Sequence, residues 1–128
     1  LSCAAGYYAL LEMEKTNAAV LAGQAGDRLT KGLQAIIEKH SLPFVAYNQG
    51  SIVHLETAGT MLLDLKHPFR LFKELKPRKH MMEEMGAAYM ANGLVTLAGS
   101  RMYTSMADTD EVIDDALNRF ETVLKECK

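Results

Sequence analysis

Arg101 is the residue of this sequence best placed to meet a ligand. It follows Gly99-Ser100 and opens Arg101-Met102-Tyr103-Thr104-Ser105-Met106, a segment that reads as a β-strand. A guanidinium at the mouth of a strand can hold a carboxylate through two parallel N–H···O bonds, a geometry that an ammonium does not reproduce. Its ordinary alternative is an ion pair with a surface acid. The four histidines, His40, His54, His67 and His80, have no His-x-x-x-His spacing and no paired cysteines beside them, which argues against a metal site. His54, on another strand, reads as a half-buried structural residue rather than a base. Cys3 and Cys127 stand at opposite ends of the chain, without metal-ligand spacing or the density of a disulfide framework, and read as free thiols. From Lys66 to His80 the chain is basic, with Lys66, Arg70, Lys73, Lys76, Arg78 and Lys79 against Glu74 alone, and Phe69 and Phe72 between them. A net charge of -2 and a pI near 6.1 make this run a solvated helix face rather than a nucleic-acid or membrane surface.

The elements that must position Arg101 follow from hydrophobic spacing. A length of 128 residues with 48% hydrophobic and 23% charged suits one domain with one core. The longest apolar runs are far short of the ~20 residues of a spanning helix, so the chain is expected to be soluble, and the free-thiol reading of its two cysteines suits a reducing cytoplasm. Ala4, Tyr7, Tyr8 and Leu11 recur at helical spacing and give a first helix that starts without a convincing cap. A second runs from about Asn17 to His40 with Leu21, Ala25, Leu29, Leu33, Ile36 and Ile37 on one face, and ends before Pro43. Phe44 to Tyr47 and Ser51 to Glu56, joined at Asn48-Gln49-Gly50, read as a hairpin, with Ile52 and His54 sharing a face.

Thr57 to His67 reads as a loop, and Pro68 to Leu75 as a short helix. Pro77 suits the first turn of a longer helix reaching Asn92, with Met81, Met82, Met85, Ala88 and Tyr89 on its inner side. Gly93 is a helix stop. Strands over Leu94–Leu97 and Arg101–Met106 come next, and then a helix whose capping box pairs Asp108 with Glu111, Thr109 being the alternative cap. Helix, helix, β, β, helix, β, β, helix predicts an α+β fold: helices packed on one face of a small antiparallel sheet.

Several short stretches carry a family resemblance. Gly93-Leu94-Val95, then Tyr103-Thr104-Ser105-Met106-Ala107 and Asp108-Thr109-Asp110-Glu111-Val112-Ile113-Asp114, resemble the C-terminal end of class III pyridoxal-phosphate-dependent aminotransferases, particularly those similar to glutamate-1-semialdehyde aminomutase. The family commonly has a His where Asp108 stands and an Asp where Val112 stands. At the other end, Leu1-Ser2-Cys3-Ala4-Ala5-Gly6 resembles the helix that follows a Gly-Asn-Pro motif in these enzymes. Leu29-Thr30-Lys31-Gly32-Leu33 and Gly50-Ser51 also fit, and the resemblance is collinear over essentially all of residues 1–128.

The resemblance implies that the chain is the C-terminal small domain of a longer homodimeric enzyme. In that role it would shape the substrate entrance and, through its first helix, meet the large domain of the same polypeptide or the second subunit. The substrate class implied is a small amino acid or amino-aldehyde, and the cofactor of the full-length parent is pyridoxal phosphate. Arginines occur near the position of Arg101 in many aminotransferase small domains, so the resemblance lends Arg101 a substrate-binding role. The lysine, aspartate and phosphate loop of the cofactor site would lie upstream of Leu1. Within the chain, Lys15, Lys31, Lys39, Lys66, Lys73, Lys76, Lys79, Lys125 and Lys128 fall on polar faces, loops or the terminus, none in the apolar setting that Schiff-base chemistry needs. The isolated chain is thus expected to be inactive. The competing expectation is a free-standing α+β interaction module.

Overall fold

The computed structural model describes residues 2–57 and 68–127, with side chains given except over residues 68–78. The described residues form four helices and three strands in the order α1 (Ser2–Lys15), α2 (Ala18–His40), β1 (Val45–Gln49), β2 (Ile52–Glu56), α3 (Pro68–Ala91), β3 (Arg101–Tyr103) and α4 (Asp110–Leu124). The loop expected over Thr57–His67 lies outside the described residues beyond Thr57, as do the side chains of the basic run up to Arg78.

The expected α+β architecture is what the chain adopts. The strands form one antiparallel sheet in the order β1-β2-β3. Ala46, Val53, Leu55 and Met102 point to one face and are buried there against Leu29, Leu33 and Ile36 of α2, Met85 and Tyr89 of α3, and Ile113, Phe120 and Val123 of α4. Strand alternation sends Val45, Tyr47, Ile52, Arg101 and Tyr103 to the other face, where all are exposed. Tyr89 meets Phe120 edge-on, with ring centroids 5.1 Å apart. Burial pushes the Tyr89 phenol well above its ordinary range.

The apolar stripe of α2 is Ala18, Ala22, Ala25, Leu29, Leu33 and Ile36, at steps of three and four. Leu21, expected on that stripe, is exposed because the small residues Ala22 and Gly26 face the sheet in its place. That choice brings two backbones together. A Cβ on Gly26 would collide with the carbonyl of Gly50 and lie 3.2 Å from Thr104 Oγ1. The Thr104 hydroxyl uses the space, donating to Ala22 O at 2.7 Å with Ser51 O 3.2 Å away, while Thr104 N donates to Ser51 O at 2.9 Å. Asn48 Nδ2 donates to Asp27 Oδ1 at 2.8 Å and ties the hairpin to α2 from the side.

Several boundaries differ from the sequence reading. Pro77 does not begin a helix; α3 is continuous from Pro68 to Ala91, and the backbone bond that Pro77 cannot make is lost without ending it. Met81, expected on the inner side, is exposed. Leu94–Leu97 forms no strand, only a bridge between Leu97 and Arg101, because Ala98 and Gly99 both take positive φ and turn the chain at once. β3 stops at Tyr103, since Thr104 turns to its partners on α2. Asp108 does not cap α4. Its Oδ2 accepts from Ser105 N at 2.6 Å, closing the preceding turn, and Thr109 occupies the N-cap position. The helix stop at Gly93 is as expected, with φ +77 and Leu94 N donating to Tyr89 O.

Two surface clamps hold α2 beside α4. Arg28 Nη2 donates to both carboxylate oxygens of Asp114 at 2.8 and 2.9 Å. At the other end, Glu121 Oε1 accepts from Lys39 Nζ at 2.7 Å and lies 2.8 Å from His40 Nε2. α1 is different in kind. Residues Ser2 to Leu11 carry no charge, none of α1 is buried, and Tyr7, Tyr8 and Leu10 are 60%, 69% and 66% exposed.

Two outcomes follow from these contacts. Gly26→Ala should destabilise the chain by about 1–3 kcal/mol, the range for forcing extra volume into a close-packed contact, read as a lower urea midpoint at an unchanged slope. Hydrogen bonds from Lys39 and then His40 hold the Glu121 carboxyl below its ordinary range. A carboxylate depressed by folding stabilises above its unfolded pKa and loses that contribution as pH falls through the folded value. Glu121→Gln should therefore melt slightly lower than the parent chain at neutral pH, the effect being small for a solvent-screened surface pair, and the two melting curves should converge on acidification below that depressed value.

Candidate functional site

Arg101 opens β3, as the sequence reading places it, and its backbone is held from both sides. Its carbonyl accepts from Leu97 N at 2.7 Å and its N–H donates back to Leu97 O at 3.1 Å. On the opposite side it stands in register with His54, and the neighbouring Leu55 N donates to Ser100 O at 2.8 Å. The preceding turn is fixed to α3. Gly99 has φ +72, and a Cβ there would collide with the carbonyl of Met82; in turn, a Cβ on Gly86 would lie 3.3 Å from Gly99 Cα. A backbone turn pressed on a helix backbone thus delivers the guanidinium to the open face of the sheet.

Register assembles that face into rows. Tyr47 pairs with His54, and His54 with Arg101. The Tyr47 and His54 rings are parallel within 2° with centroids 4.9 Å apart, the spacing of adjacent strands, so both rings stand upright from the sheet. His54 Nδ1 is 3.6 Å from Glu56 Oε1 on the same strand, and both side chains are half-buried. His54 is therefore engaged on two sides, in keeping with a structural role. Arg101 is exposed, and among the described residues no carboxylate lies within ion-pair distance of it. The next row along the strands is Gln49, Ile52 and Tyr103; the row on the other side is Val45 and Glu56.

Sequence alternation alone places Ile52 and His54 together. It misses the alliance of Tyr47, His54 and Arg101, because that depends on where the hairpin turns. The turn is at Gly50-Ser51 rather than Asn48-Gln49-Gly50, so Gln49 pairs with Ile52 and Tyr47 falls opposite His54.

The other candidate places offer less chemistry. A pocket of about 470 Å³ is lined by Pro43, Phe44, Thr57, Met81, Glu84, Met85 and Cys127. Its walls are mainly apolar. Glu84 is already 3.2 Å from His80 Nε2, and burial pushes the Cys127 thiol up, away from the reactive thiolate. Cys3 and Cys127 are both free. Lys15, Lys31, Lys39, Lys79 and Lys125 are all exposed. Among the described residues no helix is long and apolar enough to cross a membrane. No protein-family model matches the chain, and no curated protein matches it.

The anchoring of Arg101 has a measurable consequence. Gly99→Ala should cost about 1–3 kcal/mol, since it forces a side chain into a left-handed conformation against the α3 backbone. It should also displace the amide resonances of Arg101 and Leu97 while leaving those of the Val45–Gln49 edge strand in place.

Proposed function

We propose that this chain serves as the C-terminal small domain of a pyridoxal-phosphate-dependent aminotransferase or aminomutase of class III, in which Arg101 holds the carboxylate of a small amino-acid or amino-aldehyde substrate. The observation that carries the reading is the setting of Arg101. It is a guanidinium fixed through its backbone on both sides, delivered to a sheet face that no described element covers, and without an acid among the described residues to neutralise it. A site of that kind suits bidentate recognition of a carboxylate arriving from outside the chain. The resemblance of the segments around Gly93, Tyr103 and Asp108 to that family supports the same reading.

The described residues do not themselves fit the cofactor. A Schiff-base lysine requires a desolvated setting that lowers its pKa, and every described lysine side chain is exposed. Nor does any described helix begin with the glycine-rich phosphate cradle such a group uses. On this reading the cofactor is held by the large domain of the same polypeptide, within a cytoplasmic homodimer, and the small domain acts from its open sheet face. α1 supports a role inside a larger assembly. An uncharged stretch with no buried residue has an apolar surface that a partner must cover.

The test has two parts. Reading-frame sequence upstream of Leu1 should encode Gly-Asn-Pro directly and a cofactor-binding lysine earlier; a stop codon there removes the proposal. In the full-length parent, Arg101→Lys keeps the charge but loses the planar fork, and should raise KM for carboxylate substrates about tenfold or more with a smaller effect on kcat. Unchanged kinetics would return Arg101 to a structural role.

A further inference from the structure

We infer that the open sheet face selects a monocarboxylate with an apolar body and discriminates against dicarboxylates, an inference that rests on Arg101 being the carboxylate anchor. The selection comes from what flanks the anchor on each side. Rows on one face of a sheet are about 7 Å apart along the strands, close to the length of a small amino-acid side chain. On one side of the Tyr47–His54–Arg101 row stand Ile52 and Tyr103, paired in register and 38% and 59% exposed. A ligand whose carboxylate lies on Arg101 can lay an apolar body over this pair. On the other side stands Glu56, directed to His54 at 3.6 Å. A second carboxylate reaching that way meets an anion, and one reaching the opposite way meets an isoleucine and a tyrosine ring.

Among the described residues of the sheet, no second cation is placed to receive it. Among the described strand residues of this face the potential cations are Arg101 and His54, and the two are neighbours in one row. The imidazole itself is taken up, with Glu56 beside it on the same strand and Tyr47 over its other side. On the proposed function, the amino-acid substrate has one carboxylate and an apolar side chain, and glutamate-like dicarboxylates are disfavoured at this position.

The experiment uses the ¹⁵N-labelled chain as it stands, titrated at pH 7.5 with 3-phenylpropionate and, separately, succinate, and followed through its amide resonances. Phenylpropionate should shift Ile52, His54, Arg101 and Tyr103 saturably and bind on the order of tenfold more tightly than succinate, the gain expected from covering one face of a phenyl ring. Arg101→Gln should abolish saturable binding of both acids. Ile52→Ser should weaken phenylpropionate alone, and Glu56→Gln should narrow the preference by strengthening succinate. These are side chains of the outer face, and retained dispersion of the spectrum checks that each variant is folded. Equal affinity for the two acids, phenylpropionate binding that survives Arg101→Gln, or the absence of saturable shifts would each overturn the inference. The outcome is separable from the enzyme reading because the titration needs no cofactor. Selective binding with a stop codon upstream leaves this site and removes the aminotransferase; no binding with Gly-Asn-Pro and its lysine upstream does the reverse.

Discussion

The close approach of α2 to the β1–β2 turn is the contact on which the rest of this structure depends. With no side chain on Gly26, the backbone of Gly50 sits directly against the helix, and the Thr104 hydroxyl bridges to Ala22 O beside them. Three chain segments distant in sequence are thereby fixed to one another: the middle of α2, the tip of the hairpin and the end of β3. Once the turn is held there, Gln49 must face Ile52, and every later pair of the β1–β2 ladder follows at a period of two. A slip of one residue would turn Ala46, Val53 and Leu55 outward and bring Tyr47 and His54 into the core. The burial of those apolar residues under α2 and α4 makes such a slip costly.

The same constraint sets the chemistry of the open face. Arg101 lies where it does because β3 is held at one end by Thr104 on α2 and at the other by Gly99 on α3. One anchor is a short hydroxyl on a helix carbonyl and the other a backbone turn pressed on a helix backbone, so they leave little freedom in between. The guanidinium is therefore carried by a strand of three residues whose two ends are fixed, which is how a binding group on a short strand can be pre-positioned. Tyr89, by contrast, is fully buried, with no partner for its hydroxyl among the described residues. Its ring packing on Phe120 accounts for the aromatic group; nothing described accounts for the hydroxyl.

Much of the fold was legible because it depends on spacing. The stripe of α2, the apolar face of α4, the helix stop at Gly93 and the antiparallel hairpin each follow from periodicity or from one residue's backbone preference. What was not legible depends on contacts between distant segments. Leu21 fits the helical stripe as well as Ala22 does, and only the approach of Gly50 decides in favour of the smaller residue. Asp108 has capping chemistry, yet the nearer Ser105 amide takes its carboxylate, so the cap position falls to Thr109. Pro77 reads as a boundary because one bond must be lost there, while the rest of α3 outweighs that single loss. For the site, Arg101 was visible as a strand-opening arginine. Its neighbours Tyr47 and His54 were not visible, since cross-strand pairing is fixed by the turn and the turn by α2.

The two surfaces left open by this packing differ in a way that separates their roles. α1 presents Tyr7, Tyr8, Leu10 and Leu11 without a charge before Glu12, so nothing on it gives direction to a small ligand, and exchanging it between water and a partner would be costly. Such a surface suits permanent cover. The sheet face alternates its apolar groups with Gln49, His54, Glu56 and Arg101, so it tolerates water. Its charges are also ordered, with the anion on one side of the arginine and the apolar pair on the other. A surface needed only for cohesion has no use for that order. An amphipathic carboxylate, which has a charged end and an apolar end, meets both parts of it in one orientation.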